Sequence, residues 1–114
     1  MRSVIAIISI FLSYVASYAF VPQSMMRFHC EKDTAVIDRL LQEAPKHDSP
    51  QNSVYHFASQ LIDSPYKANT LEGDQEYLSI NVHEFDCVTL VETAIALAKT
   101  SVAPSPSWRS FASN

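Results

Sequence analysis

Positive charge is what this 114-residue chain has least of: eight Lys and Arg stand against twelve Asp and Glu, a formal net charge of −4, with no basic cluster anywhere. Nucleic acid is bound chiefly through Lys and Arg contacts to phosphates, so it is excluded as a partner. A second long apolar run is also missing. Past the N-terminal leader nothing approaches the roughly 20 apolar residues that span a bilayer. There is no internal repeat and no low-complexity tract. The four histidines, His29, His47, His56 and His83, show no His-x-x-x-His spacing on a common helix, so neither a metal nor another cofactor is expected. None of the four follows Cys87. Glycine is down to Gly73, which sits beside Asp74 in the segment richest in turn formers.

What is there begins with MRSVIAIISIFLSYVASYAF, in which Arg2 precedes an apolar run from Val4 to Ala16 and the small-x-small triplet Ser17-Tyr18-Ala19. This is the layout of a secretory signal over residues 1–19, cleaved after Ala19, and it predicts an exported protein, periplasmic or extracellular, with no stable membrane span once the signal is removed. The alternative is an uncleaved anchor, since the run can be extended through Val21. Removing residues 1–19 leaves 95 residues with seven basic and twelve acidic side chains, a net of −5 and room for one small core. In an oxidising compartment the two cysteines, Cys30 and Cys87, suggest a disulfide by default.

In the mature part, Asp33 to Ala44 carries Val36, Ile37, Leu40, Leu41 and Ala44 at helical spacing, with Asp33 placed to cap the start and Pro45 to end it. Ser49-Pro50 opens a second helix, with Val54, Phe57, Ala58, Leu61 and Ile62 as its buried stripe. Leu78, Ile80 and Val82 alternate with polar neighbours, as in a short half-buried strand. From Cys87 a third helix is apolar nearly all round, the mark of a buried centre. After the proline-rich run VAPSPSW, Trp108 and Phe111 open what reads as another helix. About one turn of chain follows these aromatics, so 20–114 is read as the incomplete N-terminal part of a larger domain.

Three readings of Cys87 are open: a core filler, half of a disulfide, or a nucleophile. Asp86 at the cap and Cys87 in the first turn would place the sulfur against the unpaired N–H groups and positive end of the helix, which favour the thiolate. Beyond that, Ser64 to Leu97 resembles the secreted N-acetylmuramoyl-L-alanine amidase-like family, a branch of the NlpC-type cell-wall cysteine hydrolases. The resemblance rests on four pieces in order: Ser64-Pro65-Tyr66, Thr70-Leu71-Glu72, Glu84-Phe85-Asp86-Cys87 and Val88-Thr89-Leu90-Val91-Glu92. It implies an α+β, papain-like fold, of which this chain supplies mainly the helices. It also implies that Cys87 attacks the amide between the lactyl group of muramic acid and L-alanine of a peptidoglycan muropeptide. Tyr66 would lie beside the nucleophile and donate to the oxyanion, Glu72 would be a substrate-side carboxylate, and Asp86 mainly a cap.

The chain departs from the family pattern twice. Asn69 stands where relatives tend to have glycine, and asparagine tolerates a left-handed backbone better than most other residues. More seriously, papain-like catalysis takes its histidine base from strands after the cysteine, and here there is none; His83, four residues before the sulfur, would have to fold back to reach it. The expectation is an amidase fragment without its general base, exposing faces meant for an absent sheet and molten in character. The competing reading is a small exported, disulfide-closed helical protein that binds a partner and catalyses nothing.

Overall fold

A computed structural model describes residues 21–73 and 75–114; the secretory signal and cleavage site expected from the sequence lie outside the described residues. A 3-10 turn, Gln23–Met25, leads into strand β1, Met26–Phe28. Helices α1 (Asp33–Glu43) and α2 (Pro50–Leu61) follow, then strand β2 (Leu78–Ile80), the long helix α3 (Cys87–Ser101) and the short helix α4 (Trp108–Ala112). The protein is α+β and mostly helical. Its only sheet among the described residues is the parallel pair of β1 and β2, in the register Met26↔Leu78, Arg27↔Ser79 and Phe28↔Ile80. Parallel strands need a long crossover, which α1 and α2 provide.

Local chemistry explains most helix boundaries. The Ser49 hydroxyl accepts from the Asn52 N–H at 3.2 Å and Pro50 takes the first helical position, where its missing N–H costs nothing. Ser107 and Ser110 form a reciprocal capping box at the start of α4. Asp33 departs from expectation. It is the first residue of α1, preceded by Lys32 at the cap, and its carboxylate turns inward to be fully buried.

The core is one cluster. Ile37, Leu40 and Leu41 of α1, Phe57 and Leu61 of α2, and Ala94, Leu97 and Ala98 of α3 meet Ile80, Val82, Phe85 and Ala112. α3 packs chiefly on α2, and α4 bridges α1 and α3. Trp108 and Phe111 pack against this core: the Trp108 ring meets Phe28 edge to face at 5.8 Å, and the Trp108 backbone N–H donates to Asp38 Oδ1 at 2.7 Å. Two expectations about buried faces fail. Ile62 is 68% exposed because α2 ends at Leu61. Helix α3 is two-faced, with Val88, Val91 and Ile95 forming a half-exposed stripe. No described helix is long and apolar enough to cross a membrane.

Candidate functional site

The start of α3 is held by two devices. The first is a capping box: the Thr89 N–H donates to Asp86 Oδ1 at 2.8 Å, and the Asp86 N–H donates back to Thr89 Oγ1 at 2.9 Å. Bonding to the Thr89 N–H, and next to the Thr89 hydroxyl, holds the Asp86 carboxyl below the ordinary carboxylate range. The second device is a backbone staple. The Phe85 N–H donates to the Pro65 carbonyl and the Lys67 N–H to the Phe85 carbonyl, both at 3.0 Å, so Tyr66 and Phe85 form a parallel bridge. With the Phe85 ring buried in the core, the Ser64-Pro65-Tyr66 turn is pinned one residue before the cap.

Cys87 emerges from this frame as the first residue of a 15-residue helix, exposed and as a free thiol. Tyr66 is 75% exposed and is brought to the same end of α3 through its pairing with Phe85. Glu72 lies farther along, exposed, in a turn closed by its own N–H to the Asn69 carbonyl at 3.4 Å. Asn69 has φ of 61°, the left-handed conformation that a glycine would otherwise supply. A cavity of about 490 Å³ opens beside α3, between Leu71, Leu78 and Phe111 on one side and Thr89, Glu92 and Lys99 on the other. Cys87, Tyr66 and Glu72 are not among its lining residues.

No histidine among the described residues lies within hydrogen-bonding distance of Cys87. His83 Nε2 instead sits 3.1 Å from Cys30 Sγ and 3.1 Å from Asp33 Oδ1. The His29 ring lies tilted beside that of His83, with centroids 5.9 Å apart, and the His47 ring lies tilted beside that of His56 at 5.1 Å. Both cysteines are free, so the default disulfide is not formed.

The Cys30, Asp33 and His83 cluster escaped the sequence reading. Its donor atoms all lie within 4.8 Å of one another, close enough to hold a metal ion, although Cys30 and His83 are 53 positions apart. Local histidine spacing carries no trace of such a set. The one available signal was the pairing of β1 with β2, and β1 is only three residues long.

Comparison with known proteins finds no match among curated proteins and none among solved structures. The model of the AmiA-like family, described as N-acetylmuramoyl-L-alanine amidase-like, matches residues 56–114, a span that takes in the pinned turn, the Asn69 turn, the capping box and Cys87. That is 59 of 114 residues, just over half, and the chain therefore belongs to the N-acetylmuramoyl-L-alanine amidase-like family.

Proposed function

We propose that this chain carries the nucleophile-bearing part of an exported cysteine amidase of papain-like, NlpC-type fold, and that these residues alone do not complete the reaction. The substrate is a peptidoglycan muropeptide. Cys87 Sγ attacks the lactyl carbonyl carbon, the bond to the L-alanine nitrogen breaks, and the lactyl group is left as a thioester that water hydrolyses. The nitrogen must gain a proton as it leaves, and the thiol must lose one as it attacks. Tyr66 is assigned to the oxyanion and Glu72 to the substrate side, with Asp86 holding the helix end.

The observation that carries this reading is the setting of Cys87: exposed, in the first turn of α3, behind a capping box and a stapled turn. A helix N-terminus offers unpaired N–H groups and a positive dipole end, which favour a thiolate and an oxyanion alike. No base is in place beside Cys87 among the described residues, since His83 is engaged with Asp33 and Cys30.

Alkylation with iodoacetamide at about pH 6, where an ordinary thiol of pKa about 8.5 is mostly protonated, tests the nucleophile. Peptide mapping is expected to find Cys87 labelled well ahead of Cys30. Equal or reversed labelling refutes the assignment. Incubated with a muropeptide, the 114-residue chain is expected to release no L-alanyl peptide; release that disappears in Cys87→Ser would overturn the missing base while keeping the nucleophile.

A further inference from the structure

The Cys30 cluster has chemistry that Cys87 does not need and does not touch. Its three side chains come from three places: Cys30 in the turn after β1, Asp33 at the first position of α1, and His83 in the loop after β2. Parallel pairing of the strands, continued by the His29 N–H donating to the Ile80 carbonyl at 2.9 Å, brings these places together. Cys30 and Asp33 precede the segment that the family match covers, so that match assigns them nothing.

A Cys-His-Asp catalytic relay is the first reading to weigh, and the geometry argues against it. In such a relay opposite ring nitrogens face the nucleophile and the carboxylate. Here the same nitrogen, His83 Nε2, faces both Cys30 Sγ and Asp33 Oδ1 at 3.1 Å. One nitrogen cannot accept the thiol proton while presenting its own proton to the acid. Three donor atoms converging on one point are instead the arrangement that a shared cation requires.

We infer that Cys30, Asp33 and His83 form a binding site for a divalent cation of the zinc class, fastening the β1–α1 turn to the segment that leads into α3. Metal–ligand bonds of about 2.0–2.3 Å in a tetrahedron place neighbouring donors about 3.3–3.6 Å apart, a few tenths of an ångström wider than the two 3.1 Å contacts at His83 Nε2, with all three donors within 4.8 Å of one another. Asp33 is fully buried, and a buried carboxylate needs a compensating charge; the one ion-pair partner it has among the described residues is the His83 ring, 35% exposed. Its Oδ2 is held by the Cys30 N–H at 2.7 Å, whereas Oδ1 has a long 3.5 Å contact from the Val82 N–H and otherwise faces His83 Nε2 at 3.1 Å, the gap that a shared ion would fill. That backbone bond orients the carboxylate as outer contacts do around metal ligands. Magnesium and calcium prefer all-oxygen sites, while one sulfur, one imidazole nitrogen and one carboxylate suit zinc. Cys30 and His83 are each partly exposed, which leaves the fourth position to water.

The test is independent of any role for Cys87. The 114-residue chain is loaded with zinc, or with cobalt(II) as a spectroscopic substitute, and dialysed. One equivalent is expected to remain, and the cobalt form is expected to show a thiolate-to-metal absorption band in the near ultraviolet. Cys30→Ser and His83→Gln should each weaken binding by more than the about 10–100-fold loss that outer-contact changes cause, and Cys87→Ser should leave it unchanged. In the unsubstituted chain, which removes any question of variant folding, zinc should shield Cys30 from iodoacetamide while Cys87 stays reactive. No retained metal, retention by Cys30→Ser, loss in Cys87→Ser, or equal alkylation of Cys30 with and without zinc would each overturn the site.

Discussion

Phe57→Ala is the sharpest probe of the frame that holds α3. Phe57 is 0% exposed on α2, and α2 is the chief packing partner of α3. Removing a buried phenyl ring costs about 3–5 kcal/mol, from lost transfer energy and the cavity left behind. A domain of about a hundred residues is stable by only about 5–15 kcal/mol, so the change takes a large share. At about 4–8 °C of Tm per kcal/mol for this size, the melt should fall by at least about 12 °C. Ile62→Ala is the matched control. Five residues on in the same sequence stripe, Ile62 is 68% exposed, and its loss should stay within about 0.5 kcal/mol, or about 4 °C.

The assay is thermal unfolding of the 114-residue chain and both variants, followed by far-UV circular dichroism. The continuous cluster of buried apolar residues predicts a sigmoidal melt for the unsubstituted chain, in place of the molten behaviour that the sequence alone suggests. Equal shifts for the two variants would refute the α2–α3 packing. A broad, featureless melt with strong binding of a hydrophobic dye would refute the core altogether.

At Asn69, φ of 61° makes Asn69→Gly close to neutral and Asn69→Ala destabilising by about 1 kcal/mol, readable as a lower midpoint in urea with an unchanged slope. Asp86→Ala should speed amide exchange at Thr89 and Leu90, the first N–H groups tied to the cap, while Asp86→Asn, which can still accept a hydrogen bond, should restore much of the protection. Because the folded Asp86 carboxyl titrates below its ordinary value of 3.8, its contribution is full above that value and is lost as pH falls through the lower folded one. Protection at Thr89 that is already lost above pH 3.8 would refute this.

The features legible in the sequence are those decided within a few residues. Ser49-Pro50 reads as a helix start because cap and proline act within one turn, and the structure begins α2 at Pro50. Asp86 reads as a cap for the same reason. Asn69 reads as a glycine substitute because its backbone preference is its own. Reading failed where a partner far along the chain decides. Asp33 has the right residue type for a cap, yet Cys30 and residues 82–83 draw its carboxylate inward. β1 shows no alternation in three residues and exists because β2 pairs with it. The apolar content of α3 says how much of it wants burial, not which neighbours arrive, and Val88, Val91 and Ile95 are left half exposed.

The two thiols meet opposite surroundings, and strand pairing is the cause. With Phe28 opposite Ile80, the residues just beyond both strands face each other, and that carries Cys30 to His83. His83 lies four positions before Cys87, a reach of at most about 13–14 Å of extended chain. Engagement of Nε2 with Asp33 and Cys30 nevertheless withdraws the imidazole from the exposed sulfur. A bound cation would withdraw it further, since a coordinated nitrogen has no lone pair for a thiol proton. The cation site proposed at Cys30 and the nucleophile proposed at Cys87 therefore make two claims on one ring. In this arrangement Asp33 and Cys30 hold it, so on that proposal the base for Cys87 is a group other than His83.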